Sequence, residues 1–274
     1  MLLDLKMPEV TIRTDELIIK SEILNREVAC VFYMPQLEAA SEPLHLLLLN
    51  DGQDLETMQY EQILQALYKK NSIKPVLTVG IKAGNRTEEF GVSGKTDYKG
   101  RGTAAENYRR FVAEELLPAI YTNTDIHNFA SYTIAGFSLG ALSAFDIAWH
   151  HADIFSRVGA FSGSFWWRSK DSTKKNPDKS RIAHKMVKDS KHKPALKFWF
   201  QAGTQDEKSD RNQNGIIDSI DDTTALIYEL YKKGYEKRKD IQYVELIGGK
   251  HDVPTWGKIM PEFLLWAFGR WETA

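Results

Sequence analysis

The stretch Tyr132-Thr133-Ile134-Ala135-Gly136-Phe137-Ser138-Leu139-Gly140-Ala141 begins as an apolar run, breaks at Gly-x-Ser-x-Gly, and continues through Leu139–His150 with helical periodicity. A serine on a sharp strand-to-helix turn needs small residues two positions to either side, and Gly136 and Gly140 provide that room. The hydroxyl would then stand above the carboxyl end of the strand. The Leu139 amide, first in the helix, would point to the same place. Alone, the five-residue pattern also describes an ordinary turn, so its surroundings decide.

Outward from that turn the chain alternates short apolar runs with helical patterns. The runs are Leu44–Leu49, Val76–Ile81, Tyr132–Gly136, Val158–Ser162, Phe198–Ala202 and Ile241–Leu246. Helices are predicted near Gln59–Lys69, Ala104–Tyr121, Leu139–His150, Thr223–Lys233 and Met260–Trp271. This alternation predicts a mostly parallel central sheet with helices on both faces. Leu46-Leu47-Leu48-Leu49 fits a strand buried on both sides. Ahead of it, Glu16–Lys20 and Arg26–Met34 flank a Leu24-Asn25 turn and predict an N-terminal antiparallel hairpin. No repeat or Pro/Gly/Ser linker divides the 274 residues, so residues 1–274 read as a single α/β domain. Lys170–Lys193 is the one long irregular insertion, read as a solvated loop with a short helix; a lid or rim is the functional alternative.

A serine hydroxyl needs a base, and the base an orienting acid. His150 and His151 end the helix that starts at the serine and point away from it. His184 and His192 fall in the lysine-rich insertion and read as solvated. His251 follows the last apolar run and Gly248-Gly249, where a catalytic loop belongs. Asp206 sits just past Phe198–Ala202 and is the favoured acid. Glu207 and Asp210 compete with it, and Asp252 adjoins the histidine too closely to face it. Ser138, Asp206 and His251 then follow the chain order of the α/β-hydrolase fold. Asn50-Asp51-Gly52-Gln53, after the third strand, would supply the second oxyanion amide from Gln53; a plain Asp-Gly turn is the alternative.

These residues resemble the "Putative esterase" family, which includes enterochelin (siderophore) esterases, feruloyl esterases, S-formylglutathione hydrolase and mycolyltransferases. The resemblance runs from about Arg26 to Trp271. It rests on Asn50–Gln53, Tyr108–Ile120, Gly136–Gly140, Phe161-Ser162-Gly163-Ser164-Phe165-Trp166-Trp167, Gly203–Asp206 and Gly248–Asp252. The Ser-Gly-Ser-Phe-Trp-Trp run is especially similar to the enterochelin-esterase branch. Ala141 stands where the family often has a second glycine. The resemblance implies Ser138, Asp206 and His251 as a triad, with the Gln53 and Leu139 amides as oxyanion donors. It implies an esterase acting through an acyl-enzyme on a small-molecule ester, without a catalytic cofactor. It also implies that Arg86, in Gly84–Phe90, lines the substrate site, although a solvated arginine fits as well. Trp166 and Trp167 suit a bulky aromatic substrate, or simply a core. Rival activities are a feruloyl or acetyl-type carbohydrate esterase and an S-formylglutathione-type thioesterase. A catalytically silent binding protein on the same fold is the non-enzyme alternative.

Asp210, Asn212, Asn214, Asp218 and Asp221 take positions 1, 3, 5, 9 and 12 of a calcium-loop spacing, with Gly215 at the turn and Ile216 offering a carbonyl. Aspartate replaces the usual glutamate at position 12. A structural calcium is one expectation, and a polar loop ending in a helix cap the other. The net charge of −1 gives no field to hold nucleic acid or an anionic membrane. The single cysteine, Cys30, lies in a strand-like run and reads as a buried hydrophobe. Met1–Lys6 lacks a basic segment leading into an apolar one, so a cytoplasmic location is expected. The sequence does not specify an oligomeric state.

Overall fold

The structure, a computed structural model, describes residues 10–36 and 42–270. The expectation drawn from Met1–Lys6 and the predicted helix end at Trp271 lie outside the described residues.

Strands β1 (Thr11–Ser21) and β2 (Arg26–Gln36) form the predicted hairpin, longer than expected, with Asn25 turning the chain at φ 50°. Strands β3 (His45–Asn50), β4 (Val76–Ile81), β5 (Tyr132–Phe137), β6 (Arg157–Phe161), β7 (Lys197–Gln205) and β8 (Ile241–Lys250) complete one sheet in the order β1-β2-β4-β3-β5-β6-β7-β8. The β1–β2 and β2–β4 pairings are antiparallel and the others parallel. The four leucines of β3 alternate between the two faces. Leu46 and Leu48 join one core, Leu47 and Leu49 the other, and all four are fully buried. Burial of each stabilises the fold by roughly 1.5–3 kcal/mol, which is why the run is continuous rather than alternating.

Helix α1 (Tyr60–Lys69) covers the Leu47/Leu49 face. The opposite face receives the short α2 (Arg86–Glu89), then α3 (Ala105–Phe111) and α4 (Leu117–Thr124), with a wide turn at Val112–Leu116 between the last two. Ala104–Tyr121 was expected as one regular helix. Pro118 has no N–H to donate and its ring crowds the preceding turn, and the Leu117 amide reaches back five residues to Val112 instead of four. Helix α5 (Leu139–His150) matches its prediction and is buried almost throughout. Helices α6 (Ile182–Asp189) and α7 (Asp218–Lys232) lie on the same face as α5. Helix α8 (Val253–Phe268) joins α1 on the other face. It begins well before the predicted Met260. Pro254 sits in its first turn, where no donor is needed, and the Asp252 carboxylate caps it by accepting the Thr255 amide at 2.9 Å.

Candidate active site

The carboxyl ends of β5, β6, β7 and β8 lie side by side along one edge of the sheet. Ser138 leaves β5 at φ 55°, ψ −119° and starts α5. That backbone is strained for a residue with a side chain, and it persists because the neighbourhood dictates it. A β-carbon at Gly136 would come within 2.4 Å of the Gly140 backbone, and one at Gly140 within 2.6 Å of Asp51 Oδ2. No larger residue fits at either position, so the elbow is built as the sequence requires. The first amides of α5, Leu139 and Gly140, have no acceptor within the helix. The Ser138 Oγ rests 3.3 Å from Ser164 Oγ, and the Ser164 amide donates to the Ser138 carbonyl at 3.0 Å.

The end of β3 is clamped to this elbow. Asn50 Nδ2 donates to the Gly140 carbonyl at 2.8 Å, and the Tyr108 hydroxyl donates to Asn50 Oδ1 at 2.7 Å. Asp51 follows at φ 64° with its carboxylate 1% exposed. It takes Arg86 in a fork, Nε to Oδ1 at 2.7 Å and Nη2 to Oδ2 at 3.0 Å, and accepts Gln53 Nε2 at 3.0 Å. Gln53 therefore sits in a braced single turn, Gly52–Asp54, beside the elbow. Sequence reasoning assigned Asp51 no role; its buried carboxylate holds both Arg86 and Gln53.

Asp206 and His251 follow β7 and β8 directly. Both strands run further than predicted. Pairing continues past Gly203↔Leu246 to Gln205↔Lys250, with Ile247-Gly248-Gly249 bulging out of register. The Gly248 amide closes the gap on Thr204 Oγ1 at 2.8 Å. Asp206 Oδ2 accepts the Gly203 amide at 3.0 Å, while Oδ1 is buried without a hydrogen-bond partner. Burial pushes its carboxyl up, against the Gly203 amide, the Ser162 hydroxyl and His251, which favour the carboxylate. Burial lowers the His251 pKa, the Asp206 charge raises it, and Arg86 lowers it again. The His251 ring stands edge-on to Trp256, centroids 5.3 Å apart. Asp252, as the cap of α8, is committed elsewhere.

The two tryptophans separate. Trp167 is fully buried and packs against the Gly91 and Gly102 backbone, so it cannot meet a substrate and belongs to the core. Trp166 is half-buried and lines a cleft of about 580 Å³ with Tyr98, Arg101, Arg168 and Glu207. His192 is exposed as expected, but His184 is buried, because α6 docks the insertion onto α7. Cys30 is buried, and burial pushes its thiol up to about 12.

The 210–221 loop has the turn its spacing predicts. Asp210 accepts the Asn214 and Gly215 amides, Asn212 Oδ1 accepts that of Asn214, and Asn214 Oδ1 that of Ile216, with Gly215 at φ 85°. Asp218 is drawn to the Arg211 amide and guanidinium instead, and Asp221 to Asn212 Nδ2 at 2.7 Å. Among the described residues no three or more His, Cys, Asp or Glu side chains gather as a metal site would. No helix among them is long and apolar enough to cross a membrane.

Residues 21–267 match the family described as "Putative esterase". An uncharacterized Bacillus subtilis protein, YbbA, is 25% identical over 133 residues, 46% of this chain and 52% of its own. The enterobactin esterase FES of Shigella flexneri, solved in the presence of enterobactin, superposes with a TM-score of 0.73 at 21% identity, over 96% of this chain and 60% of that one. The siderophore hydrolase EstB of Aspergillus nidulans gives 0.68 at 14% identity, over 91% and 94%. The chain thus spans about half the length of YbbA and 60% of the Shigella enzyme. At these identities the solved structures establish the α/β-hydrolase fold.

Proposed function

The chain belongs to the "Putative esterase" family, and on that premise we propose that it hydrolyses a carboxylic ester through Ser138, His251 and Asp206. The observation that carries this is the elbow. A side-chain-bearing residue held at φ 55°, ψ −119° between β5 and α5 is costly backbone, and its return is a hydroxyl presented at the sheet edge where a base and an acid end adjacent strands.

In the proposed reaction, Ser138 Oγ turns from Ser164 toward His251. It attacks the ester carbonyl carbon while the imidazole takes its proton. The negative charge that develops on the carbonyl oxygen falls to the Gln53 and Leu139 amides. The carbon–oxygen ester bond then breaks, and the imidazolium returns the proton to the leaving alkoxide. Water repeats the sequence on the acyl-enzyme and frees the acid. Asp206 holds the imidazolium through its buried carboxylate. No step needs a cofactor.

The siderophore-esterase branch is the substrate class we favour. The cleft beside Trp166 supports it, since Tyr98 and Trp166 offer aromatic faces and Arg101 a cationic one to a polar aryl acyl group. Arg86 is fixed by Asp51 at the mouth of the oxyanion turn, where it would meet a carbonyl or anionic group of the substrate.

Purified protein assayed on short p-nitrophenyl esters, aryl esters and S-formylglutathione tests the reading. Ser138→Ala should lower turnover by roughly 10⁴-fold or more and abolish labelling by a fluorophosphonate. Undiminished turnover in that variant would eliminate the mechanism. Absence of any labelling in the native protein would favour a silent binding protein.

A further inference from the structure

The hydroxyl of Ser162 and the indole of Trp256 meet at the end of β6, behind the two residues that end β7 and β8. Trp256 Nε1 donates to Ser162 Oγ at 3.0 Å. Both residues are buried, Ser162 at 2% exposure and Trp256 at 6%. The indole is clamped from the other side by Phe137, stacked at 5.0 Å and 21°. It cannot turn without breaking the stack and orphaning its N–H. Against its edge stands the His251 ring, at 5.3 Å and 77°.

Ser162 is itself held in an unusual pose. Its φ is 44°, in the left-handed region, and its amide donates to the Gln201 carbonyl at 2.8 Å. Nothing about chain reversal demands a serine there, and a glycine would take the angle at less cost. What the pose achieves is to bury the hydroxyl where it accepts from the indole and keeps its own hydrogen. That hydrogen is turned to Gln201 Oε1 on the neighbouring strand at 3.5 Å, a long contact that leaves the indole N–H as the hydroxyl's main partner.

From this arrangement we propose that Ser162 and Trp256 form a strut that positions the base of the site. One hydrogen bond ties the end of β6 to the ring that walls His251. Loss of either half frees the imidazole to rotate. Neither residue touches the reacting atoms; each acts through His251 and is a positioning residue. The proposal rests on the triad reading above, and its test is arranged so that the two can fail separately.

The experiment compares Trp256→Phe, Ser162→Ala and the double variant on a p-nitrophenyl ester, with Ser138→Ala alongside. Phenylalanine keeps the stack on Phe137 and removes only the N–H and part of the ring. Misplacement of catalytic groups by a fraction of an ångström to an ångström lowers turnover steeply, so each single change should reduce kcat about tenfold to a hundredfold with KM held within about twofold. The double variant should lose no more than the worse single one, because the two changes break one connection. Phe263→Leu, in the same buried cluster as Trp256, reports what loosening alone does and should lower Tm while leaving kcat within about twofold. Unchanged kcat in Trp256→Phe overturns the strut, even if Ser162→Ala fails to fold. Losses that multiply in the double variant, or a kcat loss in Phe263→Leu equal to that in Trp256→Phe, overturn it too. Ser138→Ala retaining turnover would instead overturn the triad.

Discussion

The imidazole of His251 is pulled in opposite directions by its neighbours. Burial lowers its pKa first, the Asp206 carboxylate raises it, Arg86 lowers it, and Asp252 raises it slightly. On the proposed mechanism His251 is the general base and must be neutral to accept the Ser138 proton, so the acid limb of kcat/KM would report this group in the free enzyme. The limb should therefore lie below the ordinary histidine range. Arg86→Gln removes a positive charge that opposes protonation, and the limb should move up toward neutral pH. Asp206→Asn removes the charge that favours protonation, and the limb should move further down as kcat falls. Opposite displacements in the two variants are the expected result of pH–rate profiles; displacements of the same sign would remove Arg86 from the electrostatics of the base. At this scale the sequence was informative about position, since Ser138 follows β5, Asp206 β7 and His251 β8 at the carboxyl edge of one sheet. It was silent on Asp51, Ser162 and Trp256, whose importance depends on contacts across 35 to 94 residues of chain. Trp167 takes the core reading of the two that the sequence left open, because Gly91 and Gly102 leave room for it inside.

Element boundaries were misread where glycine and proline do something other than terminate. Gly203 and Gly248-Gly249 looked like breakers, yet β7 and β8 remain paired through them by means of a bulge, leaving Ile247 90% exposed at the tip. Pro254 lies in the first turn of α8, ahead of the Met260 start that the apolar periodicity suggested. The 210–221 loop belongs to this scale as well, since it joins β7 to α7. Its backbone turn is already formed by Asp210, Asn212 and Asn214, while Asp218 is neutralised by Arg211 and Asp221 is hydrogen-bonded to Asn212. A calcium ion would need Asp221 to exchange the Asn212 amide for the metal. If the loop takes calcium, EDTA should lower Tm by several degrees (about 1–2 kcal/mol for a chain of this size) and calcium, not magnesium, should restore it. Identical melting curves with EDTA and with added calcium would dispose of the metal and leave the loop as a self-bonded cap on α7.

The whole molecule is tied together on the α6–α7 side by a buried polar cluster that is not legible in the sequence, because Lys170–Lys193 reads as solvent-facing. Asp222, 1% exposed as a side chain, holds Arg181 at 2.7 Å and also pairs with Arg211. The His184 Nε2 lies 2.8 Å from the Asp222 carbonyl, and the ring is only 7% exposed. Its Nδ1 is buried without a partner. Burial, with Arg181 and Arg211 nearby, pushes the His184 pKa down to about 3. The folded state therefore resists a proton that the unfolded chain accepts near pH 6.5. Stability from this source is complete above that pH and declines as pH falls toward 3, by about 2 kcal/mol at pH 5. Acid should thus release α6 and the insertion it anchors before the sheet core yields. Urea midpoints at pH 7.5 and pH 5 measure the decline. His184→Gln keeps an amide that can reach the Asp222 carbonyl and cannot titrate. It should unfold at a lower midpoint at pH 7.5 but lose markedly less than the native chain on acidification; equal losses in the two proteins would show that His184 is not the group through which acid loosens this side of the molecule.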